Sequence, residues 1–142
     1  MGHSVIYLDA SVIVPLFLPE PRSPEAESLL FGQEIVVSDL AAAEFSGAIG
    51  MAIRIARIRE NVGRAVLARF DDWVADQAVM AETQSADFAA AIVLIRRIDL
   101  ALRTPDALHI AIAARLGAKL ITFDAKMATA ARALGLDFAP AR

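Results

Sequence analysis

The amino-acid sequence predicts an α/β/α sandwich, in which helices cover both faces of a central parallel sheet of four to five strands. The first observation is a set of short β-branched and apolar runs, which are typical of strands buried on both faces. The second is that helical segments alternate with these runs, as in parallel sheets with right-handed crossovers. The third is that capping residues precede several helical segments and glycine follows several of them, as is typical of helix ends.

Capping residues set the expected boundaries of the helices. Ser23 and Thr104 are each followed by proline, a pairing typical of the first turn of a helix. Gly117 readily adopts the left-handed conformation that ends a helix. The expected strands are 4–8, 34–37, 79–81 and 119–123, and the expected helices are 11–18, 23–31, 40–59, 61–77, 86–99, 105–116 and 126–134. The 61–77 helix should pack through an apolar stripe formed by Val62, Val66, Phe70 and Trp73.

Length and composition limit the class of protein. We expect residues 1–142 to form a single domain without a linker. Although 57% of the residues are hydrophobic, no apolar run approaches the roughly 20 residues of a membrane span. The absence of cysteine and of a secretory signal leads us to expect a cytoplasmic protein. The net charge of −3 argues against a protein that holds nucleic acid by bulk electrostatics.

Four acidic residues are predicted to meet at one edge of the sheet. Asp9 follows the first strand and Asp124 follows the last one, and the carboxyl ends of parallel strands share an edge where such folds bind ligands. Asp106 lies in the first turn of the helix before the last strand, and Glu44 lies just over a turn into the helix after the second strand. Singly, the three aspartates could be helix caps, and Glu44 could be a solvated helix residue.

Convergence of these acids would call for a cation. The neighbours of Glu44 are mostly apolar, so its carboxylate must be paired, neutral or bound to a cation. Carboxylates at close range raise one another's pKa, and a divalent ion removes that repulsion. Oxygen ligands favour Mg²⁺, with Mn²⁺ as a possible substitute, over zinc. A water activated by such an ion is a good nucleophile for hydrolysis of a phosphodiester bond.

Other polar residues are assigned supporting roles. Ser11 and Thr122 each lie two residues from an acid, and either they hydrogen-bond the carboxylates or they are ordinary cap and strand residues. His109 is interpreted as a core or ligand-supporting residue rather than a metal ligand. His3, close to the N-terminus, is assigned no role in the site. Twelve of the fourteen basic residues are arginine, and a crowded group offers phosphate contacts or an ordinary salt-bridged helix face. That group is Arg54, Arg57, Arg59, Arg64 and Arg69.

Several segments together resemble the PIN-domain ribonucleases, and closely the VapC toxins of bacterial toxin–antitoxin pairs. They are residues 7–11 (YLDAS), 38–45 (SDLAAAEF), 103–111 (RTPDALHIA), 121–124 (ITFD) and the final 130–136 (AARALGL). The resemblance implies a PIN-like fold and a Mg²⁺- or Mn²⁺-dependent endoribonuclease whose acidic cluster matches the four acids above. Ser11 and Thr122 stand at the family's small hydroxyl positions.

The resemblance also implies partners and products. It implies RNA products with a 5′-phosphate and a 3′-hydroxyl, a homodimer, and a VapB antitoxin that holds the protein inactive by wrapping its apolar helices. The excess of apolar residues fits a docking groove formed by the helices near 11–31 and 40–58. One departure concerns the metal. Many PIN domains carry a further acid two residues after the last one, where this chain has Lys126, so a one-metal mechanism is expected.

Two other hypotheses compete with a toxin endoribonuclease. One is a catalytically silent PIN module that binds a protein or RNA partner. The other is a phosphatase or phosphoacceptor of the haloacid or receiver type, with Asp9 as the phosphorylated residue. The haloacid pattern has a second acid two residues after the nucleophile, whereas this chain has Ser11 there.

Overall fold

The computed structural model describes residues 4–140, which contain five strands in one parallel sheet. The strands are β1 (Val5–Leu8), β2 (Glu34–Ser38), β3 (Ala78–Ala81), β4 (Lys119–Ile121) and β5 (Phe138–Ala139). Their order across the sheet is β3-β2-β1-β4-β5, so β1 lies at the centre between β2 and β4. The ends of these three strands therefore lie side by side.

The helices connect the strands and run back across the sheet. They are α1 (Ala10–Phe17), α2 (Ser23–Leu30), α3 (Asp39–Arg54), α4 (Glu60–Gln77), α5 (Ser85–Arg96), α6 (Thr104–Leu116) and α7 (Ala125–Ala133), with a 3₁₀ turn at Ile98–Leu100. Within residues 4–140, no helix is both long enough and apolar enough to cross a membrane.

A hydrophobic core lies on each face of the sheet, because successive strand residues point to opposite sides. Ile6 and Leu8 of β1 belong to a core that includes residues of α1, α3 and α4. Tyr7 belongs to a second core with residues of α5, α6 and α7. These three layers confirm the predicted α/β/α sandwich.

An aromatic cluster fixes the helices on the first face. Phe45 of α3 stacks on Phe70 of α4 with ring centroids 4.3 Å apart, and Phe17 of α1 meets both rings edge-on. Trp73 completes the cluster against Phe17, at a centroid distance of 5.5 Å. Aromatic pairs at such distances and angles stabilise packing beyond the area they bury. The cluster therefore holds α1 and α3, which begin at the same edge of the sheet.

The structure corrects several predicted boundaries. The helix predicted to reach residue 59 ends at Arg54, because Ala56 turns into the left-handed region at φ 60° and Arg57 N–H bonds back to Ala52 O. The residue that caps α5 is Gln84 rather than Ser85, and α5 ends at Arg96, short of the predicted residue 99. Val62 was wrongly placed in the buried stripe of α4 and is 43% exposed.

The last part of the chain also differs from the prediction. Strand β4 ends at Ile121 rather than at residue 123, and the tail pairs with it through β5, which was not predicted. Arg103, not Thr104, occupies the N-cap position of α6. His3 lies outside the described residues.

Asp87 in the first turn of α5 is buried and paired with Arg115 of α6. Arg115 donates from Nε to Oδ1 at 2.7 Å and from Nη2 to Oδ2 at 2.9 Å, and Gln84 N–H donates to Oδ2 at 2.8 Å. The hydrogen bonds from Arg115 hold the pKa of the Asp87 carboxyl below its ordinary value, although burial opposes the shift. This pair ties α5 to α6.

Replacing Arg115 by alanine should lower the free energy of unfolding by about 3 kcal/mol, because it leaves Asp87 buried without its cation. Urea unfolding followed by circular dichroism measures the change. The matched control is Arg64→Ala, which removes the exposed Arg64–Glu60 pair of α4 and should leave the midpoint near that of the unmodified protein. Equal losses in the two variants would contradict the prediction.

Candidate active site at the carboxyl edge of the sheet

Asp9 lies where β1 ends and α1 begins, beside the end of β4. Ser11 Oγ donates to Asp9 Oδ1 at 2.7 Å, and Ser11 Oγ also lies 3.4 Å from Thr122 Oγ1. The Phe123 N–H donates to Ser11 Oγ at 2.9 Å, and the Asp124 N–H donates to Thr122 Oγ1 at 3.0 Å. The two hydroxyls thus join the segments that carry Asp9 and Asp124.

Burial makes Asp9 an unusual carboxyl group. The residue is 5% exposed, and this burial raises its pKa to about 6, with the Ser11 hydrogen bond opposing the shift. The charge of Glu44 also raises the pKa of Asp9. Asp9 and Glu44, which stand 35 positions apart in the chain, are therefore close enough to interact electrostatically.

Glu44 is paired, which is one of the three states expected for it. Its side chain is 34% exposed and its Oε1 hydrogen-bonds His109 Nε2. His109 is 1% exposed and lies on α6. This contact brings the residue predicted to be a core or supporting side chain into direct contact with a candidate catalytic acid.

Asp106 in the first turn of α6 and Asp124 at the N-cap of α7 both make capping contacts. Asp106 is 4% exposed and accepts the Arg103 N–H at 3.2 Å, with Arg103 Nε at 3.6 Å from the same oxygen. Asp124 Oδ1 accepts the N–H groups of Lys126 and Met127 at 2.9 and 3.2 Å. Each acid thus lies at a helix N-terminus, where the dipole favours negative charge.

The predicted acids do not form a closed set of ligands in the structure. Within residues 4–140, no group of three or more Asp, Glu and His side chains is arranged to hold a metal ion. The structure brings Asp9 near Glu44, and Asp9 and Asp124 are linked through Ser11 and Thr122. The donor chemistry still fits a hard cation, since the donors are carboxylate oxygens and the buried Asp9 has a second carboxylate nearby.

Several members of the predicted arginine group pair with residues outside the candidate site. Arg54 follows Glu44 by ten residues on α3, about 15 Å along the helix axis. Arg57 pairs with Glu20 at 2.8 Å, Arg64 pairs with Glu60, and Arg69 Nη2 donates to Phe17 O at 3.2 Å. These contacts support the salt-bridged alternative for Arg57, while a role of Arg54 and Arg59 in RNA binding stays a prediction.

Two arginines nearer the acids were not singled out in the sequence. The Arg22 guanidinium lies 3.7 Å from the centroid of the Phe123 ring and pairs with Glu25. The Arg103 side chain is 78% exposed beside Asp106. A signal for Arg103 was present, because it directly precedes the helix start that carries Asp106. Arg22 carried no such signal, since its contact joins residues 101 positions apart.

Comparison with known proteins identifies the family and supports the assignment of the fold. The model of the PIN domain family matches residues 6–133. Ribonuclease VapC46 of Mycobacterium tuberculosis is 36% identical over 137 residues, which cover 94% of this chain and 95% of that protein.

Solved structures show the same fold. The VapC20 toxin of Mycobacterium tuberculosis, described as cleaving the sarcin–ricin loop, aligns with a TM-score of 0.69 at 18% identity over 88% of this chain and 94% of that one. A chain of VapBC2 from Rickettsia felis, solved with a DNA fragment of its promoter, aligns with a TM-score of 0.69 at 14% identity over 95% and 97% of the two chains.

Proposed function

Because the chain belongs to the PIN-domain family and, within it, to the VapC ribonucleases, we propose that it is a Mg²⁺-dependent endoribonuclease toxin that hydrolyses RNA phosphodiester bonds. The observation that carries the proposal is the buried Asp9 carboxyl at the carboxyl edge of the sheet, held by Ser11 and close to Glu44. Ribonucleases of this family generally depend on a divalent metal ion. Asp9, Glu44, Asp106 and Asp124 are the side chains that would hold it, and Mn²⁺ would substitute for Mg²⁺.

Each residue of the site has a task that follows from its contacts. A bound divalent cation supplies charge neutralisation and activation of water for attack on phosphorus. Asp9 would hold the cation as a carboxylate, so a proton, which binds the cation-free group with a pKa of about 6, would compete with the cation. Ser11 donates to one Asp9 oxygen and so restricts the orientation of the carboxylate. Thr122 anchors the backbone of Asp124, and His109 holds Glu44.

The same proposal extends to the partners. A VapB-type antitoxin would cover the apolar helices of the chain and keep it inactive, as the likeness to a VapBC chain suggests. The large exposed apolar side chains Phe31, Met51 and Ile55 are available to such a partner. We further propose a homodimer that acts in the cytoplasm.

Incubation of the purified protein with total cellular RNA and Mg²⁺ should give discrete cleavage products, because the site supplies carboxylates that would hold a cation. Excess EDTA should remove cleavage, and added Mg²⁺ or Mn²⁺ should restore it. Sequencing of the RNA ends identifies the target, and 5′-phosphate ends are expected. Absence of cleavage with either metal, together with retained binding of a partner, would instead support a catalytically silent PIN module.

A further inference from the structure

Four side chains from four elements form a continuous hydrogen-bonded chain that ends at Glu44, one of the acids of the candidate site. Ser38 Oγ, at the end of β2, lies 2.7 Å from the hydroxyl of Tyr7 on β1, and this hydroxyl lies 2.5 Å from His109 Nδ1 on α6. His109 Nε2 then contacts Glu44 Oε1 on α3. Tyr7, Ser38 and His109 are each at most 1% exposed. We call these four residues the tyrosine–imidazole chain.

The first link gives the chain a direction. Ala41 N–H donates to Ser38 Oγ at 3.0 Å, and the hydroxyl hydrogen of the fully buried Ser38 needs an acceptor, for which the Tyr7 oxygen is in place. Tyr7 then donates its own hydrogen to His109 Nδ1. Burial raises the pKa of Tyr7 far above its ordinary value, so its hydroxyl keeps the proton that it donates.

The last link requires the same direction. A histidine whose Nδ1 accepts a hydrogen bond carries its proton on Nε2 when the ring is neutral. Nε2 therefore donates to the Glu44 carboxylate. The opposite tautomer would place the lone pair of Nε2 against a carboxylate oxygen, which is repulsive. The two ends of the chain thus select one tautomer independently.

A fixed donor restricts Glu44. A glutamate side chain on a helix has three rotatable bonds, and holding it in one orientation costs conformational entropy. His109 is immobilised by complete burial, so it keeps Oε1 in place before any ligand arrives. This arrangement corresponds to a positioning contact, like the partners that orient metal ligands in proteins.

We propose that Tyr7 and His109 are positioning residues. Tyr7 selects the His109 tautomer protonated on Nε2, and that proton holds the Glu44 carboxylate in the orientation in which it would bind the cation. The proposal rests on the proposed function, because it takes Glu44 as one of the acids that hold the cation. The tautomer itself can be measured without cation or RNA, so the two ideas can fail separately.

The first experiment reads the tautomer in the cation-free protein. Long-range ¹H–¹⁵N correlations of histidine-labelled protein near neutral pH should show the neutral Nε2–H form for the ring whose signals vanish in His109→Gln. Tyr7→Phe should give a mixture of tautomers, because Nδ1 loses its donor. The matched control Ser38→Ala also removes one buried hydroxyl but keeps the Tyr7 donor, so it should retain the Nε2–H form.

The outcomes of this experiment are decisive in both directions. An Nδ1–H ring or a doubly protonated ring in the unmodified protein would overturn the proposal. An unchanged His109 tautomer in Tyr7→Phe would overturn it as well. Backbone spectra of each variant establish that the fold is retained, and Ser38→Ala accounts for a general effect of losing a buried hydroxyl.

The second experiment separates positioning from packing. His109→Leu should weaken Mn²⁺ binding, measured by electron paramagnetic resonance, by about 10- to 100-fold and lower kcat to a similar extent, with KM for RNA nearly unchanged. His109→Gln, which can place an amide N–H toward Glu44, should recover about tenfold of both losses. Equal losses in the two variants would show that His109 only fills space. If the unmodified protein does not cleave RNA, the proposed function fails, while the tautomer and Mn²⁺ results still judge the tyrosine–imidazole chain.

Discussion

Replacing Asp9 by asparagine should lower the rate of RNA cleavage by more than about 100-fold while the fold is retained. Loss of a residue that merely orients a metal ligand already costs about 10- to 100-fold, and Asp9 is proposed to be a ligand itself. Asparagine has nearly the same shape and can still accept the hydrogen bond from Ser11, but it carries no charge. Initial rates on labelled RNA in Mg²⁺ measure the loss, and thermal unfolding establishes that the variant is folded.

The matched control is Asp71→Asn, which makes the same chemical change at an exposed position of α4. Its cleavage rate should equal that of the unmodified protein. The proposed role of Asp9 would be falsified if Asp9→Asn kept full activity. Asp106→Asn extends the test, because asparagine can accept the same backbone hydrogen bond from Arg103. A loss of activity there would identify a need for the charge of Asp106 rather than for its cap.

The layered fold was predictable because its signals are local. Strand β2 is a run of apolar residues between a turn and a capping serine, and both features are visible in a few neighbouring residues. Strand β5 was missed because its two residues become a strand only by pairing with β4. The end of α3 was missed because alanine at position 56 gives no warning of a positive φ, whereas glycine would have.

The site was predictable to the extent that it follows from strand ends and helix starts. Asp9 and Asp124 could be placed at one edge because parallel strands share their carboxyl ends. The contact of His109 with both Tyr7 and Glu44 could not be predicted, since Tyr7 and His109 are separated by 102 positions and only packing of α6 on β1 joins them. The pairing of Arg57 with Glu20 is also tertiary, and it changes the interpretation of the arginine group.

The pKa of Asp9 makes a second large prediction, which concerns stability in the absence of divalent cations. The ordinary aspartate pKa of 3.8 in the unfolded chain rises to about 6 in the folded protein, so the folded state binds the proton more tightly. The contribution of Asp9 to stability is therefore fully present below about pH 4 and is lost as the pH rises through about 6. A shift of about 2 pKa units corresponds to about 3 kcal/mol.

Comparison of Asp9→Asn with the unmodified protein isolates this effect from other carboxylates. Asp87 and Asp39 have lowered pKa values, through hydrogen bonds from Arg115 and Thr83 respectively, so they favour the folded state at higher pH, but they are present in both proteins. The stability of Asp9→Asn relative to the unmodified protein should rise by about 3 kcal/mol between about pH 4 and about pH 7 in EDTA, as measured by urea unfolding.

Saturating Mg²⁺ should reduce this gain in stability, because a cation stabilises the Asp9 carboxylate of the unmodified protein and binds the amide of the variant less tightly. A stability difference that does not vary with pH would contradict the raised pKa. A gain that Mg²⁺ leaves unchanged would mean that the cation binds without Asp9.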